Sequence, residues 1–218
     1  MPRFTTFLFD LDGTILDHFA AIHRSHAHTM TQLGLPPPTL AQVRAAVGGG
    51  LETAIERLVG KERLAKALPI YRAYWDATML DDVALLPGAK ELLTELHARG
   101  VKQAVFTNKL GSSSRLICDH LDLTPLVDGI FGAKDTAWLK PAPEFAAHVL
   151  AKLGATPAGT LLVGDSPYDV QAAHNGGFPC WAVTTGTHNN EELRAAGADE
   201  IFPDLPSLHA RLLSTGVM

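Results

Sequence analysis

The octapeptide Phe7-Leu8-Phe9-Asp10-Leu11-Asp12-Gly13-Thr14 constrains this chain more than any other stretch. The apolar, aromatic-rich run over residues 4–9 is too short for a helix and stops at Asp-Leu-Asp-Gly. That pattern predicts a buried strand with polar residues at its carboxyl end. Strand side chains two residues apart share a face, so Asp10 and Asp12 point the same way. Two carboxylates held together repel unless one is protonated or a cation lies between them. Mg²⁺, which takes oxygen ligands and keeps several waters, is the simplest candidate. Gly13 then lets backbone N–H groups approach an anion closely. For these residues alone, plain turn duty at a strand end is the alternative.

With 218 residues, 46% of them hydrophobic, the chain can bury a full core, and ~100–200 residues per domain leaves room for a sizeable insertion. A net charge of -5 without any Lys/Arg run argues against a nucleic-acid-binding face and an anionic membrane surface, so neither nucleic acid nor membrane is expected as a partner. Cys118 and Cys180 stand far apart and read as buried free thiols rather than a disulfide, the pattern of a reducing compartment. The first residues run straight into the strand with no signal peptide and no apolar segment of ~20 residues, so a cytoplasmic location is expected.

Beyond Thr14 the pattern turns helical. Asp17 reads as an N-cap, and Phe19, Ile22, Met30 and Leu33 form an apolar stripe that Gly34 ends. Pro36-Pro37-Pro38 predicts a stiff connection and Thr39 caps a short helix to Val47. Gly48-Gly49-Gly50 interrupts before Leu51, Ala54, Ile55 and Leu58 restart a helical face. A further helix covers 61–79, so residues 17–85 read as an all-helical insertion without a strand. From Leu86 onward strands and helices alternate: helix 89–99, strand 103–108, helix 113–121, strand 130–132, helix 143–153, strand 160–165, helix 169–175, strand 180–183 and helix 191–196. This alternation predicts an α/β fold with a doubly wound parallel sheet covered on both faces. Ligands of such sheets bind beyond the carboxyl ends of the strands, where strand order reverses.

Four strand ends carry polar clusters: Asp10 and Asp12, Thr107 and Asn108, Lys140 before Pro141, and Asp165 with Asp169. Singly, each is ordinary turn or loop chemistry. Together they supply carboxylates for a divalent cation, a hydroxyl and an amide for phosphoryl oxygens, and an ammonium for spread negative charge, as phosphoryl transfer requires. In their order, Asp10-Leu11-Asp12-Gly13-Thr14, Thr107-Asn108, Lys140-Pro141 and Gly164-Asp165-Ser166-Pro167-Tyr168-Asp169 resemble the four motifs of the haloacid dehalogenase-like hydrolase superfamily. The resemblance spans almost the whole chain, and the insertion resembles that superfamily's type 1 cap. It implies a Rossmann-like core of residues 1–16 and 86–218, with the first motif on the central strand, and an α-helical cap at 17–85.

By the same resemblance Asp10 is the nucleophile that forms an aspartyl-phosphate. Asp12 is the acid and then the base, which requires its protonated form near neutral pH. Mg²⁺ is the implied cofactor, held by the Asp10 side chain, the Asp12 main-chain carbonyl and the Asp165 side chain, with Asp169 behind them. Thr107, Asn108 and backbone groups around Gly13 are expected to bind the phosphoryl group, Lys140 to offset charge on Asp10, and Ser166 to assist. Asp12 favours a phosphatase over a dehalogenase, because a phosphate ester needs a protonated leaving group and a halide does not. The motifs look most like phosphoglycolate phosphatase and its relatives, with a small phosphorylated metabolite as partner and a monomer or homodimer as assembly. A sugar phosphomutase, a nucleotide or pyrophosphate phosphatase, and a phosphoacceptor without turnover are the alternatives.

Within the insertion, the loop carrying Arg44, Gly48, Gly49, Gly50, Glu52 and Thr53 is the one suited to reach the site, and Arg44 and Gly49 are expected to touch substrate. A flexible helix break is its other reading. Arg24 and Arg57 read as solvated. His23, His26 and His28 share no helical face and read as surface residues rather than metal ligands. His18 stands where the family pattern has a small hydroxyl residue. Tyr71, Tyr74 and Trp75 read as packing inside the insertion, and Trp138 as core or site wall.

Overall fold

The computed structural model describes residues 4–216, so the expectation about the chain start falls partly outside the described residues. Strand β1 spans Thr6–Phe9 with all four residues buried, as a strand covered on both faces must be. The chain leaves the sheet through a short strand, β2 (Leu16–Asp17). It then runs through α1 (Phe19–Gln32), α2 (Leu40–Ala46), α3 (Leu51–Val59) and α4 (Leu64–Thr78), and returns through β3 (Ala84–Leu85).

The all-helical reading of 17–85 needs correcting at both ends. β2 and β3 pair antiparallel, Leu16 opposite Leu85 and Asp17 opposite Ala84. Asp17 is therefore a strand residue, and His18 takes the N-cap position of α1 without a side-chain capping bond. α1 still buries Phe19, Ile22 and Met30 of the expected stripe, and Thr39 and Gln42 form a capping box at the start of α2.

After α5 (Ala89–Ala98) follow β4 (Lys102–Leu110), α6 (Gly111–His120), β5 (Gly129–Ala133), α7 (Pro143–Leu153), β6 (Thr160–Gly164), α8 (Pro167–Gly176), β7 (Cys180–Val183), α9 (Asn190–Ala196), β8 (Glu200–Phe202) and α10 (Leu205–Thr215). β8 and α10 continue the alternation past the last predicted helix. The main sheet has the order β5-β4-β1-β6-β7-β8, and every pairing is parallel. Counting only these strands, that is the 3-2-1-4-5-6 order of a Rossmann-like doubly wound sheet. β1 is central, and β4 and β6, which carry the second and fourth motifs, flank it.

Alternation along β1 aims the site. Phe7 and Phe9 enter a core shared with α5, α10 and the helical insertion, whereas Leu8 packs on the other face with Phe106, Phe145 and Leu162. A slip of one residue would exchange these two apolar sets, so burial on both faces holds the register that presents Asp10. Cys118 and Cys180 are free and buried. No described helix is long and apolar enough to cross a membrane.

Candidate active site

Asp10 directly follows β1, and its Oδ1 accepts a 2.8 Å hydrogen bond from Lys140 Nζ. The same ammonium donates to Asp169 Oδ1 at 2.6 Å. Burial works against the charge of Lys140, but Asp10 and Asp169 more than offset it and raise its pKa. Asp169 is fixed in turn by the start of α8, where its Oδ2 accepts from Ser166 N at 3.1 Å and Ser166 Oγ at 2.6 Å. Asp165 follows β6; its Oδ2 accepts from Thr187 N at 2.7 Å and Thr187 Oγ1 at 3.0 Å, and Thr14 Oγ1 lies 3.4 Å from Oδ1.

Asp10, Asp165 and Asp169 each bring a carboxylate oxygen within 4.8 Å of the others. Burial, opposed by Lys140 and reinforced by Asp169, pushes the Asp10 carboxyl up to about 6. Burial together with repulsion from Asp169 and Asp10 pushes Asp165 up to about 8. Three carboxylates, two of them buried, against one ammonium are short of positive charge, and an all-oxygen donor set suits a hard divalent cation. The residues therefore fit such an ion, which Asp10 and Asp165 would hold, since Asp169 is already bonded to Lys140 and Ser166. The Asp12 side chain lies outside this trio.

Asp12 is paired instead with Lys109, whose Nζ donates to its two carboxylate oxygens at 3.0 and 2.8 Å and sits 4.5 Å from the centre of the Trp75 ring. Burial alone would raise the Asp12 carboxyl, but Lys109 and His18 more than offset it and hold it well below the usual carboxylate range. The expectation of a protonated Asp12 near neutral pH is thereby corrected: in this arrangement Asp12 is a carboxylate. His18 is fully buried, with Nε2 at 2.6 Å from the Met79 carbonyl oxygen. Its Nδ1 stands 3.6 Å from Asp12 Oδ1, too far for a hydrogen bond, and has no other partner among the described residues.

These groups open into a cavity of about 330 Å³ between the strand ends and the insertion. Asp10, Asp12, Thr107, Asn108, Lys140, Asp165 and Ser166 line it. Other expectations need correcting. The Asn108 side chain is committed to backbone: its Nδ2 donates to the Gly48 and Lys140 carbonyls, both at 3.0 Å, and its Oδ1 accepts from Lys140 N at 2.7 Å. It is a strut between the lysine loop and the insertion, with no amide hydrogen left for a phosphoryl oxygen. The Gly13 N–H donates to the Leu16 carbonyl at 2.8 Å and is likewise unavailable to an anion. Gly13 has φ +85°, and a Cβ there would come within 2.6 Å of Gly186 Cα, so its hydrogen side chain permits close approach of two loops.

Arg44 also turns away from the cavity. Its Nη1 donates to the Gly186 carbonyl at 2.9 Å and its guanidinium covers the Phe19 ring at 4.1 Å. Gly49 packs on Tyr168, while Gly48 and Gly50 line the cavity, so the glycine loop is docked on the core and is no free helix break. Arg57 is not merely solvated, since it donates to the Ala46 carbonyl and to the Tyr168 hydroxyl. Arg24 pairs with Asp82 at the surface. Tyr71 and Trp75 line the cavity, and Trp138 is exposed. Sequence reasoning also missed Lys109 and Thr187 as site residues; the signals were present in the lysine directly after Thr107-Asn108 and the Thr184-Thr185-Gly186-Thr187 cluster just past β7.

His26 is buried rather than on the surface, and burial plus the neighbouring His23 lowers its pKa to about 4. The unfolded chain takes up this proton near pH 6.5 and the folded chain only near pH 4. Stability is thus lost as pH falls through that window, by roughly 2–3 kcal/mol. Urea unfolding at pH 7.5 and 4.5 should show a smaller difference between the two pH values for His26→Gln than for wild type.

Comparisons with known proteins agree with this geometry. The family model for haloacid dehalogenase-like hydrolases matches residues 7–183. The chain is 31% identical over 195 residues to "Probable phosphatase IndB" of Dickeya dadantii, covering 87% of this chain and 85% of that protein. It is 31% identical over 220 residues to the phosphoglycolate phosphatase of Caulobacter vibrioides, covering 96% and 92%. A crystal structure described as a predicted phosphoglycolate phosphatase from Haemophilus somnus 129pt superposes with a TM-score of 0.90 at 26% identity, covering 99% of each chain. The chain therefore belongs to the haloacid dehalogenase-like hydrolase family, and within it resembles the phosphoglycolate phosphatases.

Proposed function

We propose that this chain is a Mg²⁺-dependent phosphatase that hydrolyses a small phosphomonoester through an aspartyl-phosphate on Asp10. The observation that carries the reading is the contrast between two carboxyls two residues apart. Asp10 belongs to the carboxylate trio and is pushed up, while Asp12 is held down by Lys109. Such divergence marks groups with different roles in one reaction.

In the first step an Asp10 oxygen attacks phosphorus and the bond to the leaving alcohol breaks, with the proton for that alcohol coming from Asp12. The negative charge of the arriving phosphoryl group opposes that of Lys109 and so loads Asp12 with its proton. In the second step Asp12 takes a proton from water, the water oxygen attacks phosphorus, and Asp10 leaves as a carboxylate. Thr107 contacts phosphoryl oxygens, and Lys140 keeps Asp10 oriented and offsets charge. A bound Mg²⁺ supplies charge stabilisation for phosphoryl oxygens. Residues 17–85 act as the cap that keeps bulk water out, and the enzyme works in the cytoplasm.

Phosphate release should be measured with phosphoglycolate, nucleotides, sugar phosphates and pyrophosphate, with Mg²⁺ and with chelator. Metal-dependent multiple turnover is expected, phosphoglycolate being the reference compound from the relatives' names. A single stoichiometric phosphorylation without turnover would overturn the reading in favour of a phosphoacceptor. Mg²⁺ at about 100 times its Kd should also stabilise the fold by about 2.7 kcal/mol. Thermal unfolding of Asp165→Asn should lose most of that shift.

A further inference from the structure

Beside the carboxylates the cavity has a stretch of apolar wall. Ile22, Val47, Leu51, Tyr71, Trp75 and Leu110 form it, drawn from α1, the glycine loop, α3, α4 and β4. The cavity's volume of about 330 Å³ exceeds what a phosphoryl group with a two-carbon chain needs, and lies in the range of sites for larger ligands. Every cation among the described lining residues already has a carboxylate partner. Lys109 pairs with Asp12, Lys140 with Asp10 and Asp169, and Arg72 and Lys134 both pair with Glu52. Asp76, one turn after Arg72 on α4, adds a further carboxylate to the cavity wall. Burial keeps His26 neutral at pH 7. Arg44, the cation suited by sequence to meet a substrate carboxylate, is occupied with the Gly186 carbonyl.

We infer that the substrate carries an uncharged, largely apolar group longer than two carbons on its phosphoester oxygen, rather than the carboxylate of phosphoglycolate. The inference rests on the site's taking a phosphomonoester. A carboxylate placed against these walls would lose its hydration with no free cation to replace it. Methylene groups there would leave water for apolar side chains.

The test is a series of primary alkyl phosphates, ethyl to hexyl, plus cyclohexylmethyl phosphate and phosphoglycolate, whose alkyl leaving groups differ little in basicity. The kcat/KM should rise by about fourfold per methylene. Cyclohexylmethyl phosphate should exceed both ethyl phosphate and phosphoglycolate at least tenfold. In Leu51→Lys, the ratio of the hexyl ester to phosphoglycolate should fall at least tenfold; Leu51→Ala, a milder change, should reduce the gain per methylene. Binding of the same esters to Asp10→Asn, by calorimetry, reads the inference without turnover. A flat series, or a preference for phosphoglycolate, would overturn the inference and leave the phosphatase reading intact. Tighter binding of longer esters without phosphate release from any of them would support the inference and overturn the phosphatase reading instead.

Discussion

Asp10→Asn should lower the rate of phosphate release by at least about a thousandfold while leaving the protein folded. The amide matches the carboxylate in shape and keeps an oxygen to accept from Lys140, but lacks the negative charge that makes a carboxylate oxygen a nucleophile. Folding has no reason to suffer, because burial and Asp169 already penalise a charge at this position. Metal-free Asp10→Asn should be as stable as wild type, or more so, at pH 8. Rate and unfolding midpoint together separate a lost nucleophile from a lost fold. Activity within tenfold of wild type would remove Asp10 from the chemistry.

Lys140→Met should be costly in both respects. Methionine fills nearly the same space without the ammonium, so Asp10 and Asp169 remain buried with no internal cation. Removing one partner of a buried ionic cluster typically lowers stability by about 3–5 kcal/mol. The loss should depend on pH. Without Lys140 the Asp10 carboxyl rises above the value of about 6 that it has beside the ammonium. The folded state then holds a proton that the unfolded state has given up, and stability declines as pH rises through that range. Urea unfolding in chelator should show a larger deficit at pH 8 than at pH 5. Turnover should fall by about 10²–10³, the usual effect of removing one preorganised electrostatic contact. Equal stability of the variant and wild type at pH 8 would contradict the ionic role of Lys140.

What was legible in the sequence followed from local periodicity. The unbroken apolar run of β1 needs a sheet covered on both faces, and Asp10 and Asp12 follow directly past its last residue, Phe9, where the polar residues of such a strand gather. Strands of two residues have no period to detect, which is why β2 and β3 read as part of a helical segment. Side-chain roles failed where partners lie far away in sequence. Asn108 has the chemistry of a ligand-binding amide, but its hydrogens go to Gly48, 60 residues away, and to Lys140, 32 away. Arg44 is drawn off by a carbonyl 142 residues later. Lys109 meets Asp12 across 97 residues, because β4 lies beside β1. Such pairings arise from strand order, which composition and spacing do not contain.

The pairing of Leu16 with Leu85 brings the two ends of the helical insertion side by side. To the sheet, the whole segment is one loop whose ends meet, and the closure cost of a loop grows only slowly with its length. A replacement of different length or helix count can therefore be joined at the same two strands, provided that it covers the apolar surface the present helices cover. Exchange of the segment between relatives offers a direct route to altered substrate preference on an unchanged reaction centre.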